Sequence, residues 1–117
     1  MNGENVVLIK SFDFSIRIVK VCEILRSEHN EYVMSKQLLR CGTSIGANIH
    51  EAQYAISKKE FLSKMYIAFK ECAETMYWLE LLFRTDYLTD LQYDSIIKDC
   101  KELRSLLSSI TKSTREE

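Results

Sequence analysis

The 117-residue chain has no proline and only three glycines, Gly3, Gly42 and Gly46. A chain without proline carries no built-in helix breaker, and few glycines allow few tight turns. This disfavours a sandwich of short strands and favours long helices. The chain also lacks an excess of either charge, with 16 basic and 17 acidic residues and a net charge of -1. A general nucleic-acid binder carries a basic excess, because its affinity comes from displacing counterions from phosphates. Only a local basic face is compatible with this balance: residues 57–84 are slightly basic and 85–117 acidic. No run of 18 apolar residues occurs, so no transmembrane helix is expected. The opening MNGENVVLIK has neither the long apolar run nor the cleavage site of a secretory signal. The four cysteines include no C-x-x-C pair, and with no export signal they read as reduced thiols of a cytoplasmic protein.

What is present is helical patterning across one domain, residues 1–117, with apolar residues at 46% and charged residues at 28%, an ordinary globular balance. Residues 1–10 read as a loose lead-in. A first helix is predicted over about 11–28, with Phe14, Ile18, Val21, Cys22 and Leu25 on one face. A second, over 32–54, carries Met34, Leu38, Cys41, Ile45, Ile49 and Ala52. Its Gly42 and Gly46 lie one turn apart, each costing about 1 kcal/mol of helix propensity, and a closely packed neighbouring helix is the expected compensation. Ser57 and Glu60 form a capping-box pattern opening a third helix over 57–84, with stripe Phe61, Met65, Ala68, Cys72, Met76, Leu79 and Phe83. Thr89 and Gln92 form another, opening a fourth helix over 89–112 with Ile96, Cys100, Leu103, Leu107 and Ile110. Residues 112–117 read as a frayed tail. Four helices joined by short turns give an all-α, antiparallel up-down-up-down four-helix bundle.

The third helix has more hydrophobes than one core stripe needs. Tyr66, Ile67, Tyr77, Trp78 and Leu81 lie away from that stripe, and a Tyr-Trp-Leu patch marks an interface. Self-association is the expected use, a different protein partner the alternative.

A polar strip runs along the second helix: Arg40, Ser44, Asn48 and Glu51. Antiparallel pairing of the second and third helices about residue 56 puts Arg40 within reach of Glu71 or Glu74. An Arg40 ion pair and the Asn48 amide are therefore expected to align the two helices, since polar groups at helix contacts can specify register. A ligand site at the strip is the functional alternative. The segment Thr43-Ser44-Ile45-Gly46-Ala47-Asn48-Ile49, with Arg40, Glu51-Ala52, Ser57, Phe61, Ala68, Glu71 and Glu74, resembles the bacterial four-helix-bundle family named after the 23S rRNA intervening-sequence protein. The resemblance centres on residues 36–84. The family's more common Asn-Ile-Ala-Glu-Gly reads Asn48-Ile49-His50-Glu51-Ala52 here, which suggests a subgroup. The resemblance implies a homo-oligomeric ring, a pentamer. The function expected of this chain is a non-catalytic scaffold for a protein or ribonucleoprotein partner. It also implies kinship in fold with the accessory protein of diversity-generating retroelements, which binds a reverse transcriptase and nucleic acid. RNA or DNA binding through a basic face of the oligomer is the alternative function.

No catalytic constellation is found, and no cofactor is expected. His50-Glu51 lacks the second histidine of a zinc-protease helix, and Glu71-x-x-Glu74 is not the Glu-x-x-His of di-iron bundles. Cys22, Cys41, Cys72 and Cys100, one per helix, fall at one height in the predicted bundle. Four such thiolates could hold zinc, but small buried hydrophobes filling a layer are the expected reading.

Overall fold

The computed structural model describes residues 2–117, with side chains from Val6 onward. It contains four helices: α1 (Asn2–His29), α2 (Val33–Ala52), α3 (Lys58–Arg84) and α4 (Asp90–Arg115). They form a bundle of 47 × 21 × 19 Å, in which α1 and α3 each touch α2 and α4 and sit diagonally opposite one another. Contacts between neighbouring helices fix their directions. Arg40 meets Glu74 while Glu51 meets Lys64, and Arg17 meets Asp99 while Lys10 meets Glu102. Each neighbouring pair is antiparallel, as the short connections require.

The core follows the predicted stripes with three corrections. First, residues 2–10 are not a lead-in: α1 is helical from Asn2, and fully buried Val7 extends its stripe by two turns through Ser11. Ser11 is tolerated inside because its hydroxyl donates to the Leu8 carbonyl (3.1 Å). Second, α3 is rotated slightly from its predicted orientation. Thr75 and Leu82 are fully buried, while Phe61, Met76 and Phe83 are half-buried at the stripe's margin. Third, α4 runs to Arg115, and Thr111 in its last turns is buried, so residues 112–115 are not a frayed tail.

The glycines of α2 show why α1 can lie so close. A Cβ on Gly42 would come 2.8 Å from Ile18 Cγ1, and one on Gly46 would come 3.2 Å from the Ser11 carbonyl oxygen. The predicted close neighbour is therefore α1.

The turns are closed by local hydrogen bonds. Asp86 takes a left-handed conformation (φ 70°), with its N–H on Phe83 O and the Tyr87 N–H on Leu82 O. This is a Schellman ending with aspartate where glycine is usual. Thr89 and Gln92 make both bonds of their capping box. Ser57 accepts from the Glu60 N–H, but Glu60 reaches the Ile56 N–H in place of Ser57's own. At α2 the cap is Glu31, whose carboxylate accepts from the N–H groups of Val33, Met34 and Ser35 at 2.8–3.2 Å. That satisfies three of the four orphan donors at the helix start and places a negative charge on the positive end of the dipole. Glu31→Ala is expected to cost about 1–2 kcal/mol, the upper range for lost caps, read as a lowered urea midpoint with unchanged slope.

Candidate interaction surfaces and the α2–α3 polar ladder

Of the residues singled out from sequence, Arg40, Ser44, Asn48, Glu51, Glu71 and Glu74 come together. Helical spacings of four and three bring Ser44, Asn48 and Glu51 onto one edge of α2, facing the edge of α3. Arg40 pairs with Glu74 and lies 3.8 Å from Glu71. Ser44 Oγ donates to Glu71 Oε2 at 3.1 Å. Asn48 Nδ2 donates to Ser44 O at 2.9 Å and to Ser44 Oγ at 3.0 Å. Asn48 therefore does not cross to α3; it orients the serine that does. One turn further, Lys64 binds Glu51 at 2.7 Å, and this ammonium holds the Glu51 carboxyl below its usual value. Trp78 Nε1 donates to Glu74 at 3.1 Å, so the ladder ends under an indole. Its carboxylates are all engaged by neighbours within the ladder.

The predicted α3 patch is less uniform than its sequence implies. Tyr77 is 60% exposed and Ile67 39%, both pointing outward. Tyr66 leans to α4, where its hydroxyl accepts from Arg115 and the guanidinium sits 5.9 Å above its ring. Trp78 and Leu81 are half-buried, and Trp78 packs against the core on the α2 side. The outer face also carries Lys70 and Glu80.

The more apolar exposed face lies on α1. Ile9, Phe12, Ile16 and Val19 are 63, 67, 44 and 42% exposed on the side away from the core. Beside them a groove of about 760 Å³ runs between α1 and α2, floored by Gly46 and Ala47 and walled by Leu8, Phe12 and His50. Sequence reasoning missed this face. Its signal was the 3-4-3 spacing of residues 9, 12, 16 and 19, of which the first fell in the presumed lead-in.

Cys22, Cys41, Cys72 and Cys100 are all buried and free. Three thiols point at carbonyls: Cys22 at Ser35 O (3.4 Å), Cys41 at Leu38 O and Cys100 at Cys72 O (both 3.7 Å). Burial pushes the Cys22 thiol up to about 11 and Cys41 upward; Cys100 is raised first by its hydrogen bond with Cys72 and then by burial. These environments favour the thiol over the thiolate that metals need. Among the described residues, no cluster of three or more Cys, His, Asp or Glu is arranged to hold a metal ion. Nor is any described helix long and apolar enough to cross a membrane.

Residues 3–109 match the family described as 23S rRNA-intervening sequence protein. The fold is similar to the crystal structure of a protein of unknown function from the S23 ribosomal protein family of Bacteroides thetaiotaomicron. That protein is 55% identical, with a TM-score of 0.93 over 94% of this chain and 98% of the other. No curated protein matches the chain.

Proposed function

The chain belongs to the 23S rRNA-intervening sequence protein family, and from that premise we propose that it is a non-catalytic, cytoplasmic assembly protein that works as a homo-oligomer. The observation that carries this reading is the exposed Ile9-Phe12-Ile16-Val19 face of α1 together with outward Tyr77 and Ile67 on α3. The α1 side chains alone present on the order of 400 Å² of apolar surface, the size of the largest patch on a typical monomer and usually functional. The ladder's carboxylates and Ser44 are bound to one another or to Arg40, Lys64 and Trp78, which supports a role in aligning α2 with α3. A ring, and five copies, is the finer form suggested by the family resemblance, and a scaffolded protein or ribonucleoprotein is its partner class.

Multi-angle light scattering tests the reading. The expected mass is two or more times that of the 13.7 kDa chain; a strictly monomeric protein at tens of micromolar would overturn it. Trp78 is a poor residue to perturb in that experiment, because its indole is bonded to Glu74 and packed on the core. Phe12 and Tyr77 are exposed and can be changed without opening the bundle.

A further inference from the structure

We infer that the outer face of α1 in one copy packs against the outer face of α3 in the next, a head-to-tail contact between two different surfaces of the same chain. This rests on the assembly reading above and says which faces carry it.

The spacing on α1 identifies the kind of partner. Residues 9, 12, 16 and 19 follow the 3-4-3 rhythm of a coiled-coil seam, a stripe that fits a second helix. The groove beside it is floored in part by exposed Ala47, whose small side chain leaves room for a neighbouring ridge. On α3, outward Ile67 and Tyr77 and half-buried Leu81 fall on the same rhythm, with exposed Lys70 between them and Glu74 held at the α2 edge by Arg40 and Trp78. Laid antiparallel, Phe12 meets Tyr77 and Ile9 meets Leu81, while Lys70 comes within one helical turn of Glu23. These two opposite charges are exposed, and neither forms an ion pair with another described residue.

Placement in the bundle decides between self-pairing and head-to-tail packing. Since α1 and α3 are diagonal, their outer faces look in different directions. A symmetric α1–α1 contact would cover one face and leave the α3 patch in water. A heterologous contact uses both faces once per copy. The α1 face supplies about half of the ~800 Å² that each partner brings to a standard interface. The groove walls and the flanking charges enlarge that footprint.

The test uses two variants of the full chain, Ile16→Asp on α1 and Tyr77→Asp on α3, with helicity checked by circular dichroism. Each is expected to be monomeric alone, because each has lost one of the two faces. Mixed in equal amounts, they are expected to form a particle of twice the monomer mass, since the intact α3 face of the first fits the intact α1 face of the second. A Tyr77→Asp chain that still assembles at wild-type mass, or a mixture that stays monomeric, would overturn the contact while leaving the assembly reading intact. A monomeric wild type would overturn both. If either variant loses helicity, a photoreactive benzoylphenylalanine at position 12 of the otherwise unchanged chain decides. Cross-links to residues 67–81 of a second copy support the contact, and cross-links to α1 of a second copy overturn it.

Discussion

Gly42→Leu is expected to lower the unfolding free energy by more than about 3 kcal/mol and to leave the protein largely unfolded at moderate temperature. The cause is the spacing between α1 and α2. A Cβ at position 42 would lie 2.8 Å from Ile18 Cγ1, 2.9 Å from Cγ2 and 3.0 Å from Cδ1. Ile18 is fully buried and β-branched, so it has one comfortable rotamer in a helix and nowhere to swing. Leucine adds three further carbons in the same direction, and α1 must then move away from α2 along its whole contact. Alanine is milder. It gains about 1 kcal/mol of helix propensity and loses about 1–3 kcal/mol to overpacking, a net small loss. Gly46→Ala is the control. Its Cβ would meet Ser15 Oγ at 3.1 Å and the Ser11 carbonyl at 3.2 Å, distances that a few tenths of an ångström relieve. There the propensity gain offsets the contact, and stability should stay within about 1 kcal/mol of wild type. Urea denaturation followed by circular dichroism reads all three. A Gly42→Leu protein with a wild-type midpoint would show that α1 and α2 are free to separate.

The same pair of helices shows where the sequence was readable and where it was not. The stripe of α2 is legible because that helix has one apolar side and a polar opposite edge; Leu38, Cys41, Ile45, Ile49 and Ala52 are all buried as spacing predicts. The α1 helix has two apolar sides at once. Val7, Phe14, Ile18 and Cys22 face the core while Ile9, Phe12, Ile16 and Val19 face outward, so the 3.6-residue period is blurred. Ser11 and Thr75 add to the difficulty. Both are polar residues inside the core, each satisfied by a carbonyl within its own helix, and a hydrophobicity pattern passes over them. The displaced α3 stripe follows from Thr75: with its hydroxyl on the Glu71 carbonyl it can be buried, and Met76 moves to the margin.

The polar ladder was legible for a different reason. Once α2 and α3 are antiparallel about residue 56, spacing alone brings Arg40 to Glu74, whereas the turn of Asn48 back onto Ser44 of its own helix is set by side-chain packing. The α2 cap was not legible, because Tyr32 stands at the cap position and the capping group, Glu31, precedes it.

The second large effect is expected on the alkaline side, and it comes from the cysteine layer. Cys22 is 1% exposed and Cys41, Cys72 and Cys100 are fully buried. Burial disfavours a thiolate, so the Cys22 thiol is pushed up to about 11 against an ordinary value near 9.0, with Arg26 pulling the other way. Cys41 moves in the same direction through burial; Cys100 does so through its bond with Cys72 and through burial. In the unfolded chain these thiols ionise at their ordinary value. Below about pH 9 both states hold the proton, and the full stability is present. Between pH 9 and 11 the unfolded state releases protons that the folded state keeps, so stability falls as pH rises. Each tenfold difference in proton affinity is worth about 1.4 kcal/mol, so Cys22 alone accounts for roughly 3 kcal/mol across that window. Urea unfolding at pH 7.5, 9 and 10.5 under reducing conditions should show a midpoint that is level at first and then drops. Tyr93, also raised by burial, adds to the loss at high pH, so the decisive comparison is the slope for Cys22→Ala, which should be shallower than wild type above pH 9 whatever the cost of the substitution at pH 7.5. Equal slopes would mean that Cys22 ionises as readily in the fold as out of it. In the native protein at pH 8, the same burial should make a disulfide reagent label the four thiols only as fast as the bundle opens, orders of magnitude more slowly than in urea.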